Sequence, residues 1–126
     1  SVTGTPFDFR KTTPLAPGIS TLGGYNHNFI LKKETVQHPH LAAVLSNTDR
    51  SRKLEVYTTE PALQLYTGNS LGGGFRDRSG AEIGRYSGLC LETQRFPNSP
   101  NHPHFPTTIL MPGELYHSTT KYIIIH

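Results

Sequence analysis

Apolar and polar residues alternate along several short stretches of this chain, the spacing of a β-strand whose side chains point to opposite faces. In the stretch 89–94, the two faces are Leu89, Leu91 and Thr93 against Cys90, Glu92 and Gln94. Burying an anion is costly unless it is hydrogen-bonded or paired. We therefore expect Glu92 to be half-buried, with a partner or a chemical role. The alternative is a solvated glutamate on an exposed strand face.

The same alternation predicts further strands at 25–31, 53–59 and 63–67. We also expect a strand of small residues at 41–46 and two strands, 107–111 and 115–125, around the Pro112-Gly113 turn. Along 25–31 the alternation separates Tyr25, His27, Phe29 and Leu31 from Asn26, Asn28 and Ile30. The charged run Lys32-Lys33-Glu34 and the turn His38-Pro39-His40 connect this strand to the next. Strands 41–46 and 53–59 flank the turn signal Asn47-Thr48-Asp49, so we expect them to form a hairpin.

Glycine and proline interrupt the remaining segments. Their spacing in residues 1–24 excludes a helix of ordinary length, and residues 68–84 form a glycine-rich loop that lacks the spacing of a phosphate-binding motif. Residues 95–106 contain four prolines and are expected to be irregular. No segment has the 3.6-residue period of a helix. The sequence thus predicts an all-β chain with a single domain over residues 1–126.

Composition agrees with short strands and many turns. The 126 residues are 34% hydrophobic and include 12 Gly and 10 Pro, enough for one domain with a modest core. The net charge of +3 is spread along the chain and predicts neither nucleic acid nor a membrane as a partner. The single cysteine permits no internal disulfide, which favours a cytoplasmic location. No apolar run approaches the ~20 residues of a membrane span.

The candidate site residues have polar, uncharged side chains apart from one carboxylate. The two His-Pro-His triplets, 38–40 and 102–104, lack a suitably spaced third ligand, so we expect turn residues and no metal. Cys90 has no nucleophile signature and is expected to be a small apolar side chain. The remaining set is Asn26, Gln64 and Glu92, with Tyr66 and either Phe75 or Phe96 as apolar walls. Amide and carboxylate groups beside aromatic rings suit a ligand rich in hydroxyls, such as a sugar.

Several stretches, in order along the chain, resemble the aldose 1-epimerase (galactose mutarotase) family. They are Gly4-Thr5-Pro6-Phe7-Asp8-Phe9-Arg10, Gly24-Tyr25-Asn26-His27-Asn28-Phe29, Leu54-Glu55-Val56-Tyr57-Thr58-Thr59-Glu60-Pro61, Gln64-Leu65-Tyr66-Thr67-Gly68-Asn69, Gly88-Leu89-Cys90-Leu91-Glu92-Thr93-Gln94 and Phe105-Pro106-Thr107-Thr108-Ile109-Leu110-Met111-Pro112-Gly113-Glu114. The resemblance implies a β-sandwich of the galactose mutarotase type, the supersandwich. Because the family's enzymes are longer, it also implies an incomplete sandwich, corresponding to their C-terminal portion.

The resemblance also implies an activity, the interconversion of the α and β anomers of galactose or glucose without a cofactor. Glu92 matches the general base, Gln64 a sugar-binding amide, and Asn26 a position where the family usually has a sugar-binding aspartate. His27 matches the histidine beside that aspartate, which is not the catalytic one, and Asn98 stands where the family favours aspartate. The family's general acid is a histidine of the N-terminal portion. The expected partners are therefore a monosaccharide and either that portion or a second copy of this chain. The alternative function is a non-catalytic carbohydrate-binding β-sandwich domain.

Overall fold

The computed structural model describes residues 1–32 and 37–126. Its elements, in chain order, are α1 (Ala16–Leu22), β1 (Asn26–Ile30), β2 (His40–Ser46), β3 (Lys53–Thr58), β4 (Ala62–Tyr66), β5 (Cys90–Gln94), a 3₁₀ turn (Ser99–Asn101) and β6 (Thr120–Ile125). Most of the regular structure is strand, which confirms the all-β prediction. Lys33 and Glu34 of the predicted charged connection lie outside the described residues.

The strands form two three-stranded sheets, with strand orders β1-β4-β5 and β2-β3-β6. β2 and β3 pair antiparallel, with Ser46 opposite Lys53 and His40 opposite Thr58, so the predicted hairpin is confirmed. β3 also pairs antiparallel with β6, with Val56 opposite Tyr122. The C-terminal strand therefore joins the hairpin from far along the chain, a pairing that alternation alone does not specify.

Two of the predicted strands are wrong in part or entirely. Residues 107–111 form no strand, and Ile109 is 63% exposed. The predicted strand 115–125 begins only at Thr120, and Leu115 is 90% exposed. A strand requires a partner for its backbone N–H and C=O groups. These segments contain strand-type residues but have no neighbouring strand among the described residues.

The helix α1 was not predicted, because proline and glycine were interpreted only as interruptions. Pro17 lies in the first turn, where its missing N–H costs nothing. Gly23 ends the helix in the left-handed conformation, with φ +72, as a C-terminal glycine commonly does. The same residues therefore mark the start and the end of a short helix. Within residues 1–32 and 37–126, no helix has the length and apolar character needed to cross a membrane.

Contacts divide the described chain into two compact units, Ser1–His27 with Leu65–Cys90 and Asn28–Gln64 with Leu91–His126. The core of the first unit is built around Tyr25, which is 1% exposed. The Tyr25 ring meets Phe7 and Phe9 edge-on, and its hydroxyl donates a hydrogen bond to the Pro6 carbonyl at 2.9 Å. Burial raises the pKa of this tyrosine. A Cβ at Gly18 would overlap the Tyr25 hydroxyl, so glycine is required where the helix meets the ring.

The core of the second unit lies along β3 and the start of β4. Val56 and Ala62 are fully buried and Leu63 is 5% exposed. Thr58, also fully buried, shares a hydrogen bond with Thr120 of β6 at 3.1 Å. Thr120 also lies 2.7 Å from Thr93 of β5. Within this unit, hydroxyl contacts therefore join β3, β6 and β5 at one point.

Candidate functional site

Glu92 lies in the middle of β5, and its side chain is exposed. Leu91 and Thr93, on the other face of the strand, are less exposed than Glu92. Glu92 has no hydrogen bond or ion pair with any residue in 1–32 or 37–126. The expectation of a half-buried carboxylate is therefore wrong for this chain. Alternation of the strand is as predicted, because Thr93 points to β6 through its contact with Thr120.

Three amides of the second unit meet beside this carboxylate. Gln94 Nε2 donates to Asn28 Oδ1 at 3.0 Å and to Gln64 Oε1 at 3.4 Å. All three side chains are partly buried. We call Asn28, Gln64 and Gln94 the amide cluster. It brings together one residue from each strand of the β1-β4-β5 sheet, and it places the three side chains on the same face of that sheet.

The strand period places Glu92 beside the amide cluster. Glu92 and Gln94 are two residues apart on β5, so their side chains leave the strand on the same face, with Cα atoms roughly 6 to 7 Å apart. The resulting surface presents a carboxylate next to amide donors and acceptors. Such a surface can accept a proton at one point and hydrogen-bond hydroxyl groups nearby.

Asn26 lies at the start of β1 and is exposed. It precedes Asn28 by two residues, so the two side chains leave β1 on the same side. Asn26 belongs to the first compact unit, whereas Gln64 and Glu92 belong to the second. His27 is on the opposite side of the strand, where its ring lies 4.7 Å from the Phe7 ring. The Asn26 backbone N–H donates to His27 Nδ1 at 3.1 Å, a local contact that fits a packing role.

The predicted aromatic walls are in different environments. Tyr66 is on β4, and its hydroxyl accepts a hydrogen bond from the Ser70 backbone N–H at 3.0 Å. Phe75 lies in the glycine-rich loop and is 69% exposed. Phe96 packs edge-on against Phe105, with ring centroids 5.3 Å apart. Tyr66 leaves β4 on the same side as Gln64 because the two are two residues apart, which makes it the aromatic residue that best fits the prediction.

The histidines and the cysteine are the remaining candidates for reactive side chains. Among residues 1–32 and 37–126, no three His, Cys, Asp or Glu side chains are grouped so that they could hold a metal ion. His40 is the first residue of β2, although the sequence suggested a turn. His102 follows the 3₁₀ turn and contacts Asn98 Nδ2 at 3.1 Å. Asn98 itself has φ +62, a left-handed conformation that asparagine tolerates. Cys90 is a free, exposed thiol.

The prediction from sequence omitted Asn28 and Gln94 as site residues. The signal was present, because Asn28 is two residues from Asn26 and Gln94 is two residues from Glu92. In a strand, that separation puts both members of each pair on one face. The missing information was the order of the strands, which places β4 and Gln64 between the other two.

Comparison with known proteins places these residues in a family. The family model described as aldose 1-epimerase matches residues 1–123. The chain is 43% identical to the galactose mutarotase of Sus scrofa over 124 residues, 97% of this chain and 36% of that protein. It is 44% identical to the galactose mutarotase of Homo sapiens, over 94% of this chain and 35% of the relative. With the aldose 1-epimerase of Escherichia coli it shares 40% identity over 99% of this chain and 38% of the relative.

A solved structure has the same fold. The crystal structure of the GalM/aldose epimerase homologue from C. elegans matches with a TM-score of 0.86 and 25% identity, over 100% of this chain and 38% of that one. The strands described above therefore correspond to part of a β-sandwich of this type. The chain spans just over a third of the length of the curated relatives it matches, and it aligns with their C-terminal part.

Proposed function

We propose a function for this chain from the premise that it belongs to the aldose 1-epimerase family: it carries the general base and part of the sugar-binding surface of an aldose 1-epimerase. The reaction would interconvert the α and β anomers of an aldohexose, galactose or glucose. The observation that carries the proposal is the position of Glu92 on the sheet face next to the amide cluster.

Glu92 has the properties that the base of this reaction needs. The base must take the proton from the anomeric hydroxyl, so its carboxylate must be reachable by the substrate and not engaged in a structural ion pair. Glu92 is exposed and has no partner among the residues that the structure describes. After deprotonation the hemiacetal ring opens to the aldehyde, the C1–C2 bond rotates, and ring closure gives the other anomer.

Gln64 and Asn26 are proposed as substrate-binding residues. Side-chain amides both donate and accept hydrogen bonds, which matches the hydroxyl groups of a neutral sugar. At position 26 this chain has asparagine where the family usually has aspartate. A neutral amide forms weaker hydrogen bonds than a carboxylate. We therefore expect Asn26 to contribute less to sugar affinity than the aspartate of its relatives.

Ring opening also requires a group that donates a proton to the ring oxygen. We propose that this general acid is a histidine of an N-terminal portion that this chain does not contain. The proposal is supported by the matched length, just over a third of the curated relatives.

We also propose a cytoplasmic location, which the single cysteine supports.

The test is anomer interconversion, measured by polarimetry on the whole natural protein that carries these residues. We expect wild-type protein to accelerate the mutarotation of galactose or glucose. We expect Glu92→Gln to lower kcat by about 10²- to 10⁴-fold, the usual contribution of a positioned base. Glu82→Gln is the matched control, because Glu82 is also exposed and belongs to the first unit, whereas Glu92 and the amide cluster belong to the second.

Two outcomes would contradict the proposal. Undiminished mutarotation in Glu92→Gln would remove Glu92 from the role of base. Saturable sugar binding by a wild-type protein that does not accelerate mutarotation would favour the second candidate, a non-catalytic carbohydrate-binding domain.

A further inference from the structure

We infer that Gln94 is a positioning residue that orients the Gln64 amide toward the sugar, an inference that rests on the function proposed above. The observation is the pair of hydrogen bonds from Gln94 Nε2 to Asn28 Oδ1 and to Gln64 Oε1, at 3.0 and 3.4 Å. An amide nitrogen carries two hydrogens. Gln94 can thus use one hydrogen for each acceptor at the same time.

The strand order makes this contact a bridge across Gln64. Asn28 and Gln94 are on the outer strands β1 and β5, and Gln64 is on the central strand β4. Neighbouring strands are about 4.7 to 4.9 Å apart, so the outer backbones are separated by roughly 10 Å. The side chains of Asn28 and Gln94 meet over β4 because both are directed to the same face. Asn28 thereby fixes the Gln94 amide, which in turn reaches Gln64.

A hydrogen bond to Oε1 selects one of two orientations of the Gln64 amide. The last torsion of a glutamine is broad and roughly two-fold, so the hydrogen bonds that the amide makes decide which way its oxygen and its nitrogen point. Donation from Gln94 favours the orientation with Oε1 toward β5. The Nε2 group of Gln64 then lies on the other side of the amide. In that orientation the side of the amide away from β5 carries N–H groups, and an N–H group is a donor suited to the oxygen of a sugar hydroxyl.

A double-mutant cycle on the whole natural protein distinguishes orientation from simple packing. We expect Gln94→Leu to raise KM about 3- to 10-fold, the value of one neutral hydrogen bond, with kcat within about 2-fold because binding alone is affected. In a Gln64→Leu background, Gln94→Leu should raise KM no further, because the residue through which it acts is gone. A packing defect would raise KM in both backgrounds.

A second variant tests the hydrogen bond through the dependence of KM on pH. Gln94→Glu replaces the donor with a carboxylate at neutral pH, which faces two acceptor oxygens. Protonation of the new carboxyl restores one O–H donor, so the KM of this variant should fall toward the wild-type value as the pH is lowered. Gln37→Glu is the matched control, since Gln37 is exposed and lies before β2, and its KM should follow the wild-type pH profile.

A spectroscopic measurement separates this inference from the proposed function. The side-chain NH₂ signals of Gln64 should shift in Gln94→Leu and stay unchanged in Gln37→Glu. Unchanged Gln64 signals in Gln94→Leu would overturn the inference whatever the activity. Additive KM increases in an active enzyme would also overturn it and leave the proposed function intact. A wild-type protein that does not accelerate mutarotation, with the NH₂ shift still present, would overturn the proposed function and the sugar-binding part of the inference, while the contact between the two glutamines would stand.

Discussion

Glu60 and Glu92 are glutamates of the same compact unit in opposite environments. Glu60 is 4% exposed, accepts a hydrogen bond from the Tyr116 hydroxyl, and lies 3.5 Å from Arg95 Nε in an ion pair. Glu92 is exposed and has no such partner among the described residues. A buried carboxylate requires partners, and Glu60 has them. Glu60 is therefore the glutamate whose burial demands partners, while Glu92 has the accessibility that a reacting group requires.

The surroundings of Glu60 also show what a structural carboxylate does. Arg95 donates through Nη1 to the Thr107 carbonyl at 3.2 Å, and its guanidinium lies 5.6 Å from the centre of the Tyr116 ring. These contacts join parts of the irregular segment between β5 and β6 to each other, and the contacts of Arg95 and Tyr116 with Glu60 attach that segment to the turn between β3 and β4. The ion pair is thus part of how a segment without strand partners is held in place.

The largest stability effect is expected at Glu60. Glu60→Gln should lower the free energy of unfolding by about 1 to 3 kcal/mol, because it removes the charge that pairs with Arg95 and weakens the bond from Tyr116. It should leave kcat within about 2-fold. Urea unfolding and polarimetry on the whole natural protein measure the two quantities.

A milder variant tests whether the contacts of Glu60 are the cause of the lost stability. Tyr116→Phe removes only one hydrogen bond to Glu60 and should cost about 1 kcal/mol. If Glu60→Gln lowered kcat as much as Glu92→Gln while leaving unfolding unchanged, the contrast between the two glutamates would be wrong.

A smaller stability effect is expected at Glu92. Glu92→Gln should change the free energy of unfolding by no more than about 0.5 kcal/mol, as is usual for an exposed residue away from structural contacts. The same urea unfolding experiment measures it. A loss of several kcal/mol would mean that Glu92 has a structural partner, and the accompanying loss of activity would then not identify a base.

The smallest effect on stability is expected at Asp8, an exposed carboxylate that forms an ion pair with Arg10. A hydrogen bond from Arg10, at 2.7 Å in the ion pair, lowers the pKa of Asp8 from 3.8 to about 2. Because the folded pKa is the lower one, the contribution to stability is present above about pH 4 and is lost as the pH falls toward 2. Arg10→Gln should raise the NMR titration midpoint of Asp8 toward 3.8. An unchanged midpoint would show that the pair does not form in solution.

The sequence predicted a strand correctly where a strand-like run of residues also has a neighbouring strand to pair with. The hairpin of β2 and β3 followed from a small-residue run and an alternating run on either side of the turn at Asn47, and β5 followed from the alternating run that contains Glu92. The stretch 107–111 has similar residues but no strand partner among the described residues, so the prediction failed there. Helix α1 was missed because its limits depend on where Pro17 and Gly23 lie relative to each other.

The sequence by itself determined which side chains share a face of each strand, because that property depends only on a period of two residues. It also provided the stretches that resemble the family. Only the tertiary structure decided that Glu92 is exposed, that Glu60 is the buried carboxylate, and that Gln94 contacts Gln64 and Asn28. The reason is distance along the chain: Gln94 lies 30 residues from Gln64 and 66 from Asn28. Burial and hydrogen bonding between such residues depend on the order of the strands, which no local pattern contains.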